Sequence, residues 1–319
     1  MTIGKPGVEG TRVHTLEDSA ALLDIFQAHG HTDEYLGEIG WQQRGLEVHT
    51  KIYPTAGKNM GGEDWTHRPA DLRAALMRSK AALKASSSAD GADKKVPMID
   101  IWYLHGPDRS VPFEETLREV NNLYREGHFR RFGISNYMAW EVAQICELCR
   151  KNDWVQPSVY QGLYNALHRA VEPELFPCLR HYGLAFFAFQ PLAGGFLTDR
   201  YHRDTHDFEP GSRFDPDRWQ GRFTRARYWN EAYFDALDLL RPVAKRHGLT
   251  EAECALRWLT HHSLLRREHG DAVIVGASSA RQLEQNLADC DKGPLPEEVV
   301  QALDAGWQQA RSVMTKYWH

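Results

Sequence analysis

Short runs rich in β-branched and aromatic residues alternate along the chain with longer runs whose apolar positions recur every three or four residues. Leu46–Tyr53, Met98–Leu104, Phe129–Ile134, Ser158–Leu163, Leu184–Phe189 and Ala272–Gly276 read as strands. Pro69–Lys84, Pro112–Glu126, Trp140–Lys151, Glu172–His181, Trp229–His247 with Glu251–His262, and Ala280–Cys290 read as amphipathic helices. Strands that alternate with helices predict a parallel sheet covered on both faces. An open dinucleotide-binding sheet would show GxGxxG straight after a strand, and a phosphate-loop enzyme GxxxxGK followed by Ser or Thr. Neither occurs, so the pattern predicts an α/β fold of the (β/α)8 TIM-barrel type, with its chemistry at the C-terminal ends of the strands.

The N-terminal third breaks the alternation. Helical patterns at Glu17–Gln27 and Glu34–Trp41 are separated only by Ala28–Asp33, and Met1–His14 shows no strand pattern. Six strands are legible where a barrel needs eight. The expectation is one barrel domain over residues 1–319, incomplete at its N-terminus.

Composition narrows the function more than the fold. The chain has 319 residues, with 38 Lys+Arg against 43 Asp+Glu and a net charge of −5, a poor match to nucleic acid. The most apolar stretch, Gly183–Leu197, is broken by Gln190 and Pro191 and is too short to span a bilayer. The N-terminus carries no apolar signal region, and five sparse cysteines fit reduced thiols, so a cytoplasmic location is expected. Cys146 and Cys149 form a CxxC inside a helical pattern with no second pair, which reads as buried helix cysteines, and no metal site is expected. Ser86–Pro97 is a low-complexity surface insertion.

Polar residues collect where strands end. Lys51 and His105 close two neighbouring strand runs and would face a barrel mouth, where carbonyl chemistry uses both; a solvated loop lysine and a capped histidine compete with that reading. Ser135, Asn136 and Gln161 offer hydroxyl and amide groups that hold a planar carboxamide, with a helix N-cap the commoner role for Asn136. Phe189 presents a flat face, and Gly194 and Gly195 let backbone N–H groups approach an anion. Ser278, Ser279 and Arg281 stand between a strand and a helix in a phosphate-binding arrangement, or simply cap that helix.

Together the segments LEVHTK, DIWYLHGPD, FGISNYMAWEVAQICELC, VYQGLYNALHRAVEPELFPCLRHYGL, FQPLAGGFLTDRY, ARYWN and VIVGASSARQLEQNLA resemble the aldo-keto reductase superfamily, in its aflatoxin-aldehyde-reductase-like branch. The resemblance covers nearly the whole chain and implies a (β/α)8 barrel that reduces aldehydes and ketones with NADPH. It implies that Lys51 is the catalytic lysine and that His105 polarises the carbonyl at the substrate. Ser135, Asn136 and Gln161 would hold the nicotinamide carboxamide, with Phe189 behind the ring. Pro191, Leu192, Ala193, Gly194, Gly195, Phe196, Leu197, Thr198 and Tyr201 would wrap the pyrophosphate. Ser278, Ser279, Arg281, Gln282, Gln285 and Asn286 would bind the adenosine 2′-phosphate end, joined by Arg213. Arg225 matches a position associated with anionic substrate groups. The partners implied are a small-molecule carbonyl compound and a second copy of the chain, not nucleic acid or membrane.

The resemblance implies two departures from the family: the sequence begins at MTIG, where the family's first strand has just ended, and the block of the second strand is missing. The family's second strand carries an Asp that orients the lysine and a Tyr that protonates the alkoxide; here HGHT runs directly into DEYLGEIGW. Asp33 fits the Asp only in a strained register, and Tyr35 aligns with a helix residue. The expectation is a lysine without its carboxylate, a site without its phenol, and impaired activity; the alternative is a non-catalytic NADPH-binding or regulatory protein.

Overall fold

The computed structural model describes residues 31–44, 46–58, 63–85 and 98–319. The expectations for residues 1–30 and for Ser86–Pro97 lie outside the described residues, as does the side chain of Tyr35.

The elements follow in chain order. Helix α1 (His31–Glu38) and a 3-10 turn (Trp41–Arg44) precede β1 (His49–Ile52), α2 (Pro69–Leu83), β2 (Ile99–Leu104) and α3 (Phe113–Arg125). Then come β3 (Phe129–Ser135), α4 (Ala139–Asn152), β4 (Pro157–Leu163), α5 (Leu175–Tyr182) and β5 (Ala185–Phe189). After a long loop follow α6 (Trp219–Tyr228), α7 (Glu231–Arg246), α8 (Glu251–His261), β6 (Ala272–Val273), α9 (Ala280–Cys290) and α10 (Glu297–Ala310). The six strands are hydrogen-bonded in chain order, and the pairs β1–β2, β2–β3, β3–β4 and β5–β6 are parallel. Every predicted strand is present. β1 is shorter than its apolar run, and β6 keeps only two residues. The pattern missed two helices, α6, whose basic sequence lacks an apolar stripe, and α10, which starts directly after Pro296.

The described residues divide into two compact units, one within 31–161, 174–186 and 318–319, the other 162–173 and 187–317. In the first, β2 is buried at every position, as a strand covered on both faces must be. Leu72, Leu76 and Leu83 of α2, Leu117, Val120 and Leu123 of α3, and Val142 and Ile145 of α4 supply its helical cover. Cys146 and Cys149 belong to this core, and burial pushes both thiols up to about 12, the state of inert helix cysteines. In the second unit α7 packs on α10. Gly306 allows their close approach, since a Cβ there would lie 3.1 Å from the Ala236 methyl. Thr250 and Ser279 cap α8 and α9 by accepting from the backbone N–H groups of Glu253 and Gln282. Among the described residues no helix is long and apolar enough to cross a membrane.

Gly133 of β3 faces Tyr103 of β2, and a Cβ at that position would stand 2.4 Å from the tyrosine ring. Tyr103 is buried and cannot swing away. Gly133→Ala is therefore expected to destabilise the fold by about 1–3 kcal/mol through overpacking. Thermal unfolding reads this directly, and an unchanged Tm would mean that the sheet has slack at this crossing.

Candidate active site

The parallel register of β1 with β2 sets the first cluster. Ile52 pairs with Leu104, and one residue further the His105 N–H donates to the Ile52 carbonyl at 2.8 Å. Side chains alternate along a strand, so Lys51 and the residue two places on, Tyr53, share one face of β1. The His105 ring meets the Tyr53 ring edge-on at a centroid separation of 5.7 Å. Lys51, Tyr53 and His105 are thus gathered at the C-terminal ends of neighbouring strands, where the resemblance puts the chemistry. Tyr53 was not among the expected site residues. The period-two spacing from Lys51 was the signal that would have found it.

Lys51 is held in a low-polarity setting. Burial lowers its pKa to about 8, and the Asp33 carboxylate opposes part of that shift. Asp33 sits on α1, is buried, and accepts from the Thr50 hydroxyl at 3.1 Å; burial raises its pKa to about 6 against hydrogen bonds from Ser79 and Thr50 and the charge of Lys51. The expectation of a lysine stripped of any carboxylate is therefore corrected. Asp33 reaches the lysine's field from a helix rather than from a strand end, because Thr50, next to Lys51, anchors it. For stability the two shifts have opposite signs. The raised Asp33 contributes stability fully below about 4, lost as pH rises through about 6. The depressed Lys51 contributes stability present above about 10.5, lost as pH falls through about 8.

Asn136 fixes the histidine from the other side. It adopts a left-handed backbone (φ 63°), a conformation asparagine tolerates, and its Nδ2 donates to the His105 carbonyl at 2.7 Å and to the Ser135 hydroxyl at 3.0 Å. Ser135 pairs laterally with Gln161, so all three amide- and hydroxyl-bearing residues of the expected carboxamide site stand together at the ends of β3 and β4. The chain returns here at its last residue. The His319 N–H donates to the Asn136 carbonyl at 3.4 Å, its carbonyl accepts from Arg109 at 3.2 Å, and its ring lies 5.5 Å from that of Tyr53. Arg109 is itself clamped by the buried Glu141 carboxylate at 2.8 Å. Sequence reasoning missed both Arg109 and His319, whose contacts span more than two hundred residues.

The second unit carries the remaining expected residues. Beyond β5 the backbone turns through positive φ at Gln190 (57°), Ala193 (51°), Gly194 (71°) and Gly195 (101°). Gln190 Oε1 accepts from the Tyr228 hydroxyl at 2.8 Å and the Asn165 amide donates to the Gln190 carbonyl at 3.1 Å, which holds the turn. The side chains of Ala193, Phe196, Leu197 and Tyr201 are buried in the core, and the N–H groups of Ala193, Gly195, Phe196 and Leu197 donate to the carbonyls of Gln190, Leu192, Ala193 and Leu192 within the turn. Thr198 donates to the Gly195 carbonyl, and Arg213 to Gln220. At the start of α9, Ser278 donates its N–H and hydroxyl to Gln282 Oε1 at 2.9 and 2.6 Å, Gln285 donates to Asp289, and Asn286 donates to the Gly276 carbonyl. Arg281 is exposed. Arg225 is sandwiched between the rings of Phe208 (4.6 Å) and Trp229 (4.4 Å), and its buried Nη1 has no hydrogen-bond partner among the described residues.

Removing the Asp33 charge should make the lysine easier still to discharge. In the full chain labelled at lysine side chains, one NMR resonance is expected to titrate near pH 8, and Asp33→Asn is expected to move it lower. A Lys51 resonance that titrates with the surface lysines in both proteins would contradict the buried pairing.

Comparisons with known proteins identify the family. The model of the Aldo/keto reductase family matches residues 24–308. The chain is 52% identical to "Aldo-keto reductase pigE" of Monascus ruber, over 99% of this chain and 95% of the relative. It is 42% identical to human "Aldo-keto reductase family 7 member A3" and 42% identical to human "Aflatoxin B1 aldehyde reductase member 4", each over 93% of this chain and 85% of the relative. The alignment with the Monascus ruber protein spans 335 positions, more than the 319 residues of this chain, so that relative carries residues with no counterpart here. On the family match and these identities, the chain belongs to the aldo/keto reductase family, in its aflatoxin-aldehyde-reductase-like branch.

Proposed function

We propose that this chain, acting as one catalytic domain, is an NADPH-dependent reductase of aldehydes and ketones to alcohols, in metabolite biosynthesis or detoxification and in the cytoplasm. Membership of a family of carbonyl reductases supports the reaction class. The observation that carries the reading is the cluster of Lys51 and His105 at adjacent strand ends, with Asp33 in the lysine's field and Asn136 tied to the histidine.

The residues present fit a nicotinamide nucleotide. Ser135, Asn136 and Gln161 offer paired donors and acceptors for a carboxamide, with Phe189 as the surface behind a ring. The left-handed backbone at residues 193–195 suits the close approach of a pyrophosphate, with the Gly194 N–H between the turn bonds that Ala193 and Gly195 donate to Gln190 and Leu192. Ser278, Ser279 and Arg281 suit a 2′-phosphate, and positions 278–281 include no acidic residue to bind a free 2′-hydroxyl. The nucleotide, when bound, supplies the hydride. Lys51 and His105 then polarise the carbonyl and stabilise the negative charge that develops on its oxygen. The unpaired Nη1 of Arg225, in its aromatic bracket, favours substrates that carry an anionic group.

The family's phenol-bearing block has no evident counterpart, and Tyr35 is the first tyrosine in the sequence. A general acid typically contributes 10²–10⁴-fold, so a site left with Lys51 and His105 alone would turn over about 10²-fold more slowly than one with a phenol at the carbonyl oxygen. This same feature supports the second reading, a nucleotide-binding protein that has lost catalysis.

Two measurements decide. Fluorescence titration should show tighter binding of NADPH than of NADH, and Arg281→Glu should weaken NADPH far more than NADH; equal affinities would remove the 2′-phosphate assignment. Turnover of an activated aldehyde should be detectable in the chain and lost in Lys51→Met. Nucleotide binding without turnover in either protein would favour the non-catalytic reading.

A further inference from the structure

Reduction of a carbonyl needs a proton donor at its oxygen, and twelve tyrosines are present in the sequence. Tyr103 is laterally paired with Lys51, but its ring lies toward His49 (6.0 Å) and its charged neighbours are Arg131 and Asp100, at the opposite ends of the strands. Tyr137 is buried beside Phe113, and Tyr160 donates its hydroxyl to the Tyr137 carbonyl. Tyr53 differs from all three. It is only half-buried, it stands one step beyond the last β1–β2 pair, and it shares a strand face with Lys51 and an edge contact with His105.

Two further features look built around that ring. Gly106 leaves the space it fills, since a Cβ there would lie 2.7 Å from Tyr53 Cε2. The Lys58 ammonium donates to the Tyr53 hydroxyl at 3.4 Å and sits 4.3 Å from the ring centroid. Such an ammonium stabilises a phenolate, the form a phenol takes after giving up its proton. Asp108 and Arg109 act on Lys58 with opposite signs, and the His319 ring closes the remaining side of Tyr53.

We propose that Tyr53 is the proton donor of this reductase, in place of the family's missing phenol. The assignment rests on the carbonyl-reductase reading above. The bound nucleotide would supply a hydride from its nicotinamide C4–H bond and be oxidised, and as the carbonyl carbon gains the new C–H bond the C=O π pair moves onto oxygen. The Tyr53 O–H bond then breaks, its proton passes to that oxygen to give the alcohol, and the electron pair stays as a phenolate held by Lys58. Water returns the proton. Tyr53 is a catalytic residue in this scheme, and Lys58 is a positioning residue that acts through it.

The test uses the full chain, Tyr53→Phe, and Tyr53→Trp, which keeps an aromatic face against His105 and His319 if the phenylalanine variant folds poorly. With para-nitrobenzaldehyde and NADPH, both variants should lose about 100-fold in kcat/KM, chiefly in kcat, while NADPH binding by fluorescence is unchanged. A second readout needs no turnover. The ultraviolet phenolate signal, wild type minus variant, isolates the Tyr53 ionisation, which burial holds above the ordinary tyrosine value. The positively charged nicotinamide of NADP+ should lower that ionisation, and adenosine 2′,5′-bisphosphate, which lacks the ring, should not. A wild-type chain that turns over while both variants keep its kcat/KM overturns the Tyr53 assignment alone, as does a phenol indifferent to NADP+. A wild-type chain without turnover overturns the reductase reading and, with it, the role of Tyr53.

Discussion

One backbone hydrogen bond, from the His105 N–H to the Ile52 carbonyl at 2.8 Å, extends the β1–β2 ladder by a single step past its last paired residues. That step fixes which side chains meet. With Ile52 opposite Leu104, alternation along β1 puts Lys51 and Tyr53 on one face, and β2 delivers His105 beside them. A slip of one residue would send all of these groups to the other face and bring buried Thr50 and Ile52 in their place. The register cannot easily slip, because β2 is buried along its whole length and Gly133 of β3 accepts the Tyr103 ring at van der Waals limit.

Around that register, the surroundings restrict the charges more than they cancel them. Lys51 is discharged more easily than an exposed lysine, and Asp33 holds its proton longer than an exposed carboxyl. Each is shifted by burial first and by the other's charge second. Asn136 supplies the complementary restraint, spending a left-handed backbone to bind the His105 carbonyl.

The strand-helix alternation was legible in the sequence because parallel strands buried on both faces leave continuous apolar runs, and all six appear where those runs lie. Lys51, His105, Ser135 and Asn136 could be singled out as candidates because each stands at the end of a strand run, and Gln161 as an amide within the next one. Less visible was what depends on distant contacts. Asp33 reads as a misaligned helix residue until Thr50 is seen to bind it. His319 and Arg109 meet across most of the chain. Tyr53 sat in plain view two residues beyond Lys51, but nothing in its local composition separates a phenol at a site from an aromatic at a strand end. In the second unit, Phe196, Leu197 and Tyr201 of the Gly-rich stretch turn out to be core residues, a burial that the motif does not reveal.

The account stands or falls on hydride transfer at the Lys51–His105 cluster. Reduced nucleotide carrying deuterium in both positions at nicotinamide C4, incubated with the full chain and para-nitrobenzaldehyde, reports this directly by mass spectrometry of the alcohol. The account predicts an alcohol carrying one deuterium on its carbinol carbon, formed by the wild type and suppressed in both Lys51→Met and His105→Ala. Labelled alcohol formed equally by the wild type and the two variants, or no alcohol from any of them, would contradict it.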